Sequence, residues 1–86
     1  MYDIEFAKQA IKDLRRIPKD YASHIVNRIK LVAIDPYGVE LDIKKLKATD
    51  KAYRLRIGNY RVIYEIEEQK LLVTIIKIQS RGNVYG

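Results

Sequence analysis

Three arginines lie on either side of a short turn motif and could bind an anion together. Arg54 and Arg56 alternate with apolar residues before Gly58-Asn59, and Arg61 follows that dipeptide. Gly-Asn as a two-residue loop is typical of a β-hairpin, and it places Arg56 opposite Arg61 with Arg54 on the same face. Because a guanidinium group binds phosphate oxygens bidentately and stays charged at any working pH, the spacing predicts an anion-binding surface, named here the arginine face.

Stability alone does not favour this arrangement, because like charges directly opposed across two strands destabilise a sheet. A pattern that breaks such a local rule often marks a functional site. The alternative is an ordinary solvated sheet surface on which Glu65 or Glu5 acts as the counterion. The residues themselves leave both interpretations open.

The apolar alternation indicates which side of the hairpin is buried. In the register above, the other face carries only apolar and tyrosine side chains: Tyr53, Leu55, Ile57, Tyr60, Val62, Tyr64 and Ile66. A slip of one residue would bury the arginines instead. We therefore expect helices to cover the apolar face and the arginine face to remain open.

Two amphipathic helices before the hairpin can provide that cover. Apolar residues recur at helical spacing from Ala7 to Ile17 and again from Pro18 to Ile34. Pro18 ends the first helix and can open the second, since its missing N–H costs nothing at a first turn. An alternating segment from Tyr2 to Phe6 precedes the helices as a strand.

The remaining elements complete an α+β fold. After the lysine-rich connection come the hairpin strands and a third strand, Leu71 to Ile78, which is apolar on both faces and therefore interior. The predicted order is β-α-α-β-β-β, an antiparallel sheet with a helix hairpin packed on one face. A chain of 86 residues predicts a single domain spanning residues 1–86.

Composition excludes several kinds of site. There is no cysteine and a single histidine, so thiolate nucleophiles, disulfides and histidine-rich metal sites are excluded. Seventeen Lys and Arg against eleven Asp and Glu give a net charge of +6, which implies a positive field over part of the surface. No apolar run approaches the length of a membrane span, and a cytoplasmic location is the default expectation.

The residues around the hairpin resemble those of the RelE/ParE superfamily of bacterial and archaeal toxins. The stretch from Tyr53 to Ile66 reads YRLRIGNYRVIYEI, and the stretch from Ile78 to Tyr85 reads IQSRGNVY. The opening strand and the helix hairpin also match, so the resemblance spans nearly the whole chain. The sequence departs from the pattern at Ser80, where many members have histidine.

The resemblance implies a toxin of a toxin–antitoxin pair. RelE-type members enter the ribosomal A site and cut mRNA, using the 2′-OH of a nucleotide to attack the adjacent phosphodiester without a metal or other cofactor. The partners implied are the ribosome, mRNA and a small acidic antitoxin similar to RelB, with no membrane involved.

The resemblance also implies the roles of individual residues. Arg61 would bind the scissile phosphate, Arg81 would assist the leaving 5′-oxygen, and Tyr85 would stack on a base or act in proton transfer. Because arginine does not deprotonate in proteins, Arg54 and Arg56 are expected to hold phosphates and transition-state charge rather than act as bases.

The lysines before the hairpin add to the same field, and we expect two of them, Lys45 and Lys47, to contact RNA. Two alternatives remain open at this point. A ParE-like toxin would inhibit DNA gyrase by protein–protein contact on the same scaffold, and a non-catalytic module would only bind RNA.

Overall fold

The computed structural model describes residues 1–38, 41–46 and 51–80, which form two helices and five strands. Strand β1 (Asp3–Phe6) leads into helices α1 (Lys8–Arg16) and α2 (Lys19–Ile34). Four strands follow in chain order: β2 (Ile43–Lys45), β3 (Ala52–Ile57), β4 (Tyr60–Glu67) and β5 (Leu72–Ser80). Neither helix in the described ranges is long and apolar enough to cross a membrane.

The strands form one mixed sheet in the order β1-β5-β4-β3-β2. This confirms the predicted α+β class and the interior position of the third meander strand. It differs from the predicted antiparallel sheet in one pairing, because β1 lies parallel to β5. The helices carry the chain from β1 at one edge to β2 at the other, so no hairpin sets the direction of β1. The short strand β2 is an addition to the predicted order of elements, and it pairs antiparallel with β3.

The core lies between the helices and one face of the sheet. The predicted apolar face is confirmed, because Leu55, Ile57, Val62, Tyr64 and Ile66 are buried there. The helices contribute Ala10, Ile25, Ile29 and Val32, and β5 contributes Val73, Ile75 and Ile78. Tyr64 is fully buried, and its hydroxyl donates to the carbonyl of Pro36 at 2.9 Å. A buried hydroxyl with a partner avoids the cost of an unsatisfied polar group.

The turn between β3 and β4 fixes the register of the hairpin. Ile57 pairs with Tyr60 around Gly58-Asn59, as predicted. Gly58 has φ +55°, whereas φ at Asn59 is not positive, which is the pattern of a type II′ turn. A Cβ on Gly58 would collide with the hydroxyl of Tyr21 on α2, so glycine is required both by the backbone and by this contact.

Gly58→Ala is expected to lower the free energy of unfolding by about 1–3 kcal/mol for the positive-φ backbone alone. The collision with the Tyr21 hydroxyl adds to that loss. Urea denaturation measures the total. In a Tyr21→Phe background the collision is relieved, so the same substitution should cost less. Equal losses in the two backgrounds would contradict the contact with Tyr21.

A cluster of hydrogen bonds closes the opposite end of the sheet. An oxygen of Glu68 accepts a hydrogen bond from the Tyr2 hydroxyl at 2.7 Å and another from the Tyr37 hydroxyl. These bonds join the start of β1, the segment after α2 and the turn after β4. They hold the pKa of Glu68 below its ordinary value. The same bonds, with some desolvation, raise the pKa of Tyr37 and of Tyr2 above theirs.

These shifts predict a dependence of stability on pH. The depressed pKa of Glu68 gives a contribution that is complete above its ordinary pKa of 4.5 and is lost as pH falls through the folded-state pKa. Glu68→Gln keeps an oxygen acceptor but does not titrate. The difference in unfolding free energy between wild type and this variant should therefore shrink as pH falls below that range. A difference that stays constant from neutral to acidic pH would contradict the assignment.

Candidate anion-binding face

The sheet surface opposite the helices carries the three arginines. Arg56 pairs directly with Arg61, and Arg54 pairs with Ile63, as the predicted register requires. The N–H of Arg56 donates to the carbonyl of Asp42 at 2.9 Å, toward β2, so Arg56 and Arg61 form a pair without mutual backbone hydrogen bonds. Side chains approach closest in pairs of that kind, which brings two guanidinium groups into one small area.

The arginine face includes a polar cleft beside the turn. The cleft has a volume of about 260 Å³ and is lined by Arg54, Arg56, Gly58, Asn59, Tyr60 and Arg61. Arg56 and Arg61 are exposed, and Arg54 is half-buried. These side chains can surround an anionic group with N–H donors from more than one strand.

Arg54 is held at an energetic cost. Its Nε is buried and has no hydrogen-bond partner in the described structure. A buried donor without a partner costs about 1–3 kcal/mol. An apolar side chain would avoid that cost, so stability does not explain the arginine at this position.

The counterions of the ordinary-surface interpretation are not found in the described part of the chain. Within residues 1–38, 41–46 and 51–80, the ion pair present is Lys70 with Glu67, at 3.6 Å in the turn after β4. Neither Glu65 nor Glu5 pairs with an arginine of the face. The positive charge is therefore not neutralised by these neighbours, which favours the anion-binding interpretation.

One of the two predicted lysines, Lys45, lies away from the arginine face. Lys45 pairs with Tyr53 and so lies on the helix side of the sheet edge, whereas Lys44 pairs with Arg54 and shares the arginine face. Lys77 also reaches this face, opposite Ile63. Alternation along β2 would have placed Lys44 on the arginine face if β2 had been predicted as a strand. Alternation along β5 would not have placed Lys77 there, because the register of β5 shifts by one residue just before it.

Three predicted site residues, Lys47, Arg81 and Tyr85, lie outside the described residues. Ser80, the last described residue, ends β5 opposite Tyr60. The end of β5 is therefore beside the first residue of β4.

The chemistry available on the described face is that of fixed cations. Among the residues described, no three His, Cys, Asp or Glu side chains come together in a way that could hold a metal ion. Guanidinium groups neither donate an electron pair nor accept a proton at working pH. The arrangement suits binding of phosphate oxygens and stabilisation of negative charge that develops on them.

Comparison with solved structures defines the class of protein. The chain is similar to one in the crystal structure of the archaeal RelE–RelB complex from Pyrococcus horikoshii OT3, with a TM-score of 0.82 and 30% sequence identity. The alignment covers 94% of this chain and 96% of that one. The fold is therefore shared with a RelE chain that was crystallised with RelB.

Sequence comparisons define the family. The chain is 34% identical over 86 residues to Toxin RelE3 of Methanocaldococcus jannaschii, covering 93% of this chain and 91% of that protein. It is 24% identical over 89 residues to the mRNA interferase toxin RelE of Escherichia coli, covering 99% and 90%. Residues 4–85 match the family model described as the ParE toxin of the type II toxin-antitoxin system parDE. The chain belongs to the RelE/ParE superfamily of toxins, which confirms the resemblance in its sequence.

Relieving the arginine pair should stabilise the fold. Arg61→Gln removes the like charge opposite Arg56, and we expect a gain of roughly 0.2–1 kcal/mol in unfolding free energy. The gain should shrink at high salt, because salt screens exposed charges. Urea denaturation at low and high salt measures both effects. Lys30→Gln on α2 changes net charge equally away from this pair, and an equal gain there would contradict local repulsion.

Proposed function

We propose that this toxin is a ribosome-dependent mRNA endoribonuclease. The observation that carries the proposal is the grouping of Arg54, Arg56 and Arg61 on an open face, without carboxylate partners among the described residues. Single-stranded RNA offers the closely spaced anionic oxygens that such a face binds. The likeness to the Escherichia coli mRNA interferase supports the same assignment.

The reaction we propose uses the substrate's own nucleophile. The 2′-oxygen of one nucleotide forms a bond to the adjacent phosphorus, and the bond from phosphorus to the 5′-oxygen of the next nucleotide breaks. The proton released from the 2′-OH balances the proton taken up by the leaving 5′-oxygen. No oxidant, metal or cofactor enters this sequence of bond changes.

The arginines would act on the charge that develops at phosphorus. Arg61 binds the non-bridging oxygens of the scissile phosphate, and Arg54 and Arg56 hold neighbouring oxygens and transition-state charge. Fixed donors of this type contribute most when they are positioned before the reaction begins. The pairing of β3 with β4 provides that positioning.

Arg81 and Tyr85 complete the proposed site, and both lie beyond the described residues. Arg81 would assist departure of the 5′-oxygen, and Tyr85 would stack on a base or take part in proton transfer. Arginine neighbours would lower the pKa of such a tyrosine, since a nearby positive charge favours the phenolate. Lys47, which lies outside the described residues, would add a contact to RNA, whereas Lys45 would reach only RNA that passes around the β2 edge of the sheet.

A cognate antitoxin is the second partner we propose. The structurally similar Pyrococcus horikoshii chain is part of a RelE–RelB complex. A small acidic antitoxin similar to RelB would neutralise the arginine face by charge complementarity, folding along it as it binds. The toxin would act in the cytoplasm, where the ribosome and mRNA are found.

Inhibition of DNA gyrase is the competing function, and the description of the matching family model as a ParE toxin favours it. A gyrase inhibitor needs the scaffold and a protein-binding surface but no phosphate chemistry. Inhibition of gyrase by protein–protein contact does not explain why two arginines oppose each other on an open sheet face. We therefore rank it second.

Primer extension on translating ribosomes tests the proposal. Wild-type toxin is expected to cut mRNA within codons, and Arg61→Ala and Arg81→Ala should abolish the cuts while the fold is retained. Removal of one transition-state donor typically costs on the order of 10²–10³ in rate. Lys12→Ala on the exposed surface of α1 should cut like wild type. Co-expression of an acidic protein encoded beside the toxin should suppress cleavage.

Two results would contradict the proposal. Folded wild-type toxin that leaves mRNA intact but poisons gyrase in a supercoiling assay would favour the ParE-like function. Binding of RNA that weakens with salt, with no cleavage on ribosomes at any toxin concentration, would favour the non-catalytic module.

A further inference from the structure

Strand β5 contains a β-bulge that changes which face its residues occupy. Tyr64 pairs with Ile75, but the next pair is Ile63 with Lys77, so Ile76 is the extra residue. In a regular strand Ile76 would oppose Ile63, and Lys77 would point beneath the helices. The bulge instead places Lys77 on the arginine face and keeps Ile78 in the core, where it is buried.

A carboxylate from α1 binds the backbone of β5 just after the bulge. Asp13 Oδ2 accepts a hydrogen bond from the backbone N–H of Ile78 at 2.8 Å. Its other oxygen accepts a hydrogen bond from the side-chain amide of Gln9, also at 2.8 Å. The pairing of β1 with β5 ends at Ile75, so the Ile78 N–H lies past the last residue of β1 that could bond to it. An unpaired buried N–H is costly, and Asp13 provides its partner two residues after the bulge.

Lys77 completes a line of positive charge across the sheet. Lys44 pairs with Arg54, Arg54 with Ile63, and Ile63 with Lys77, so these residues form one row across four strands. At about 4.8 Å between strands the row is roughly 14 Å long. Arg56 and Arg61 form the next row toward the turn. Lys44 and Lys77 thus lie at the two ends of the arginine face.

The lysine amines are not engaged by neighbouring acids. Neither Lys44 nor Lys77 forms an ion pair with any described residue. The two carboxylates on the same face of β4, Glu65 and Glu67, lie beyond the row of Ile63, away from the turn. Lys77 is half-buried, so its stem is held by packing while its amine has no carboxylate partner among the described residues.

We propose that Lys44 and Lys77 bind the RNA phosphates that flank those held by the arginines, and that Asp13 acts as a positioning residue for Lys77. The proposal rests on the proposed function, since it takes single-stranded RNA as the ligand. The row runs across the strands, so the RNA backbone follows it from β2 toward β5. Its length exceeds one phosphate group, which accounts for a cation at each end.

Salt titrations of RNA binding test the lysines. A short single-stranded 2′-O-methyl RNA, which lacks the reactive hydroxyl, is titrated by fluorescence anisotropy at several salt concentrations. Removing the cation that neutralises one phosphate should reduce the slope of log affinity against log salt by about 0.7. Lys77→Gln and Lys44→Gln should each show that reduction, and Lys30→Gln on α2 should retain the wild-type slope. Wild-type slopes for both variants would overturn the proposal.

Substitution of Asp13 tests the positioning role by the sign of its effect. Asp13→Ala raises the net charge by one, so bulk electrostatics predicts tighter RNA binding, whereas loss of the bulge predicts weaker binding with a reduced slope. Asp13→Asn raises the charge equally but keeps an oxygen acceptor for the Ile78 N–H, so it should bind at least as tightly as wild type. In the Lys77→Gln background Asp13→Ala should cause no further loss of affinity or slope.

Additive effects of Asp13→Ala and Lys77→Gln would overturn the positioning role. If Asp13→Ala does not fold, the Lys77→Gln slope still decides whether Lys77 contacts RNA. Unchanged slopes together with cleavage that depends on Arg61 would overturn this inference and leave the proposed nuclease intact. Reduced slopes without any cleavage on ribosomes would support the RNA-binding row and reject the nuclease.

Discussion

The pairing register of the β3–β4 hairpin is the constraint on which the rest of the structure depends. Because side chains alternate between the faces of a strand, one choice of register assigns the apolar residues of positions 53–66, other than Ile63, to the core and the three arginines to the open face. The positive φ at Gly58 sets that choice, and Tyr21 packs against the turn. The burial of the apolar face and the exposure of the arginine face are therefore consequences of the same backbone geometry.

The arginine face is maintained at the expense of stability. Arg56 opposes Arg61, and the Nε of Arg54 is buried without a partner in the described structure. A core of helix and sheet residues on the other side compensates for these unfavourable terms. Such a division between a stabilising face and a strained face is expected where a protein keeps binding groups ready for a charged ligand.

The sequence predicts the features that depend on local periodicity and turn chemistry, and not those that depend on distant contacts. Hairpin register and both helices follow from spacing together with Gly58 and Pro18. The parallel direction of β1 depends on a pairing between chain ends, which alternation does not encode. Lys77 illustrates the same limit, because the run from Leu71 to Ile78 is apolar on both faces and its residue pattern does not reveal the bulge at Ile76.

The claim that RNA lies across the arginine face is tested most directly by NMR titration with an uncleavable single-stranded RNA. The Nε–H signals of Arg54, Arg56 and Arg61 should shift together, and that of Arg54 should be observable in the free protein because its Nε is buried. Amide signals of the helix residues Ile25 and Ile29 should stay in place. Shifts confined to the helices, with the three arginine signals unmoved at saturation, would contradict the account.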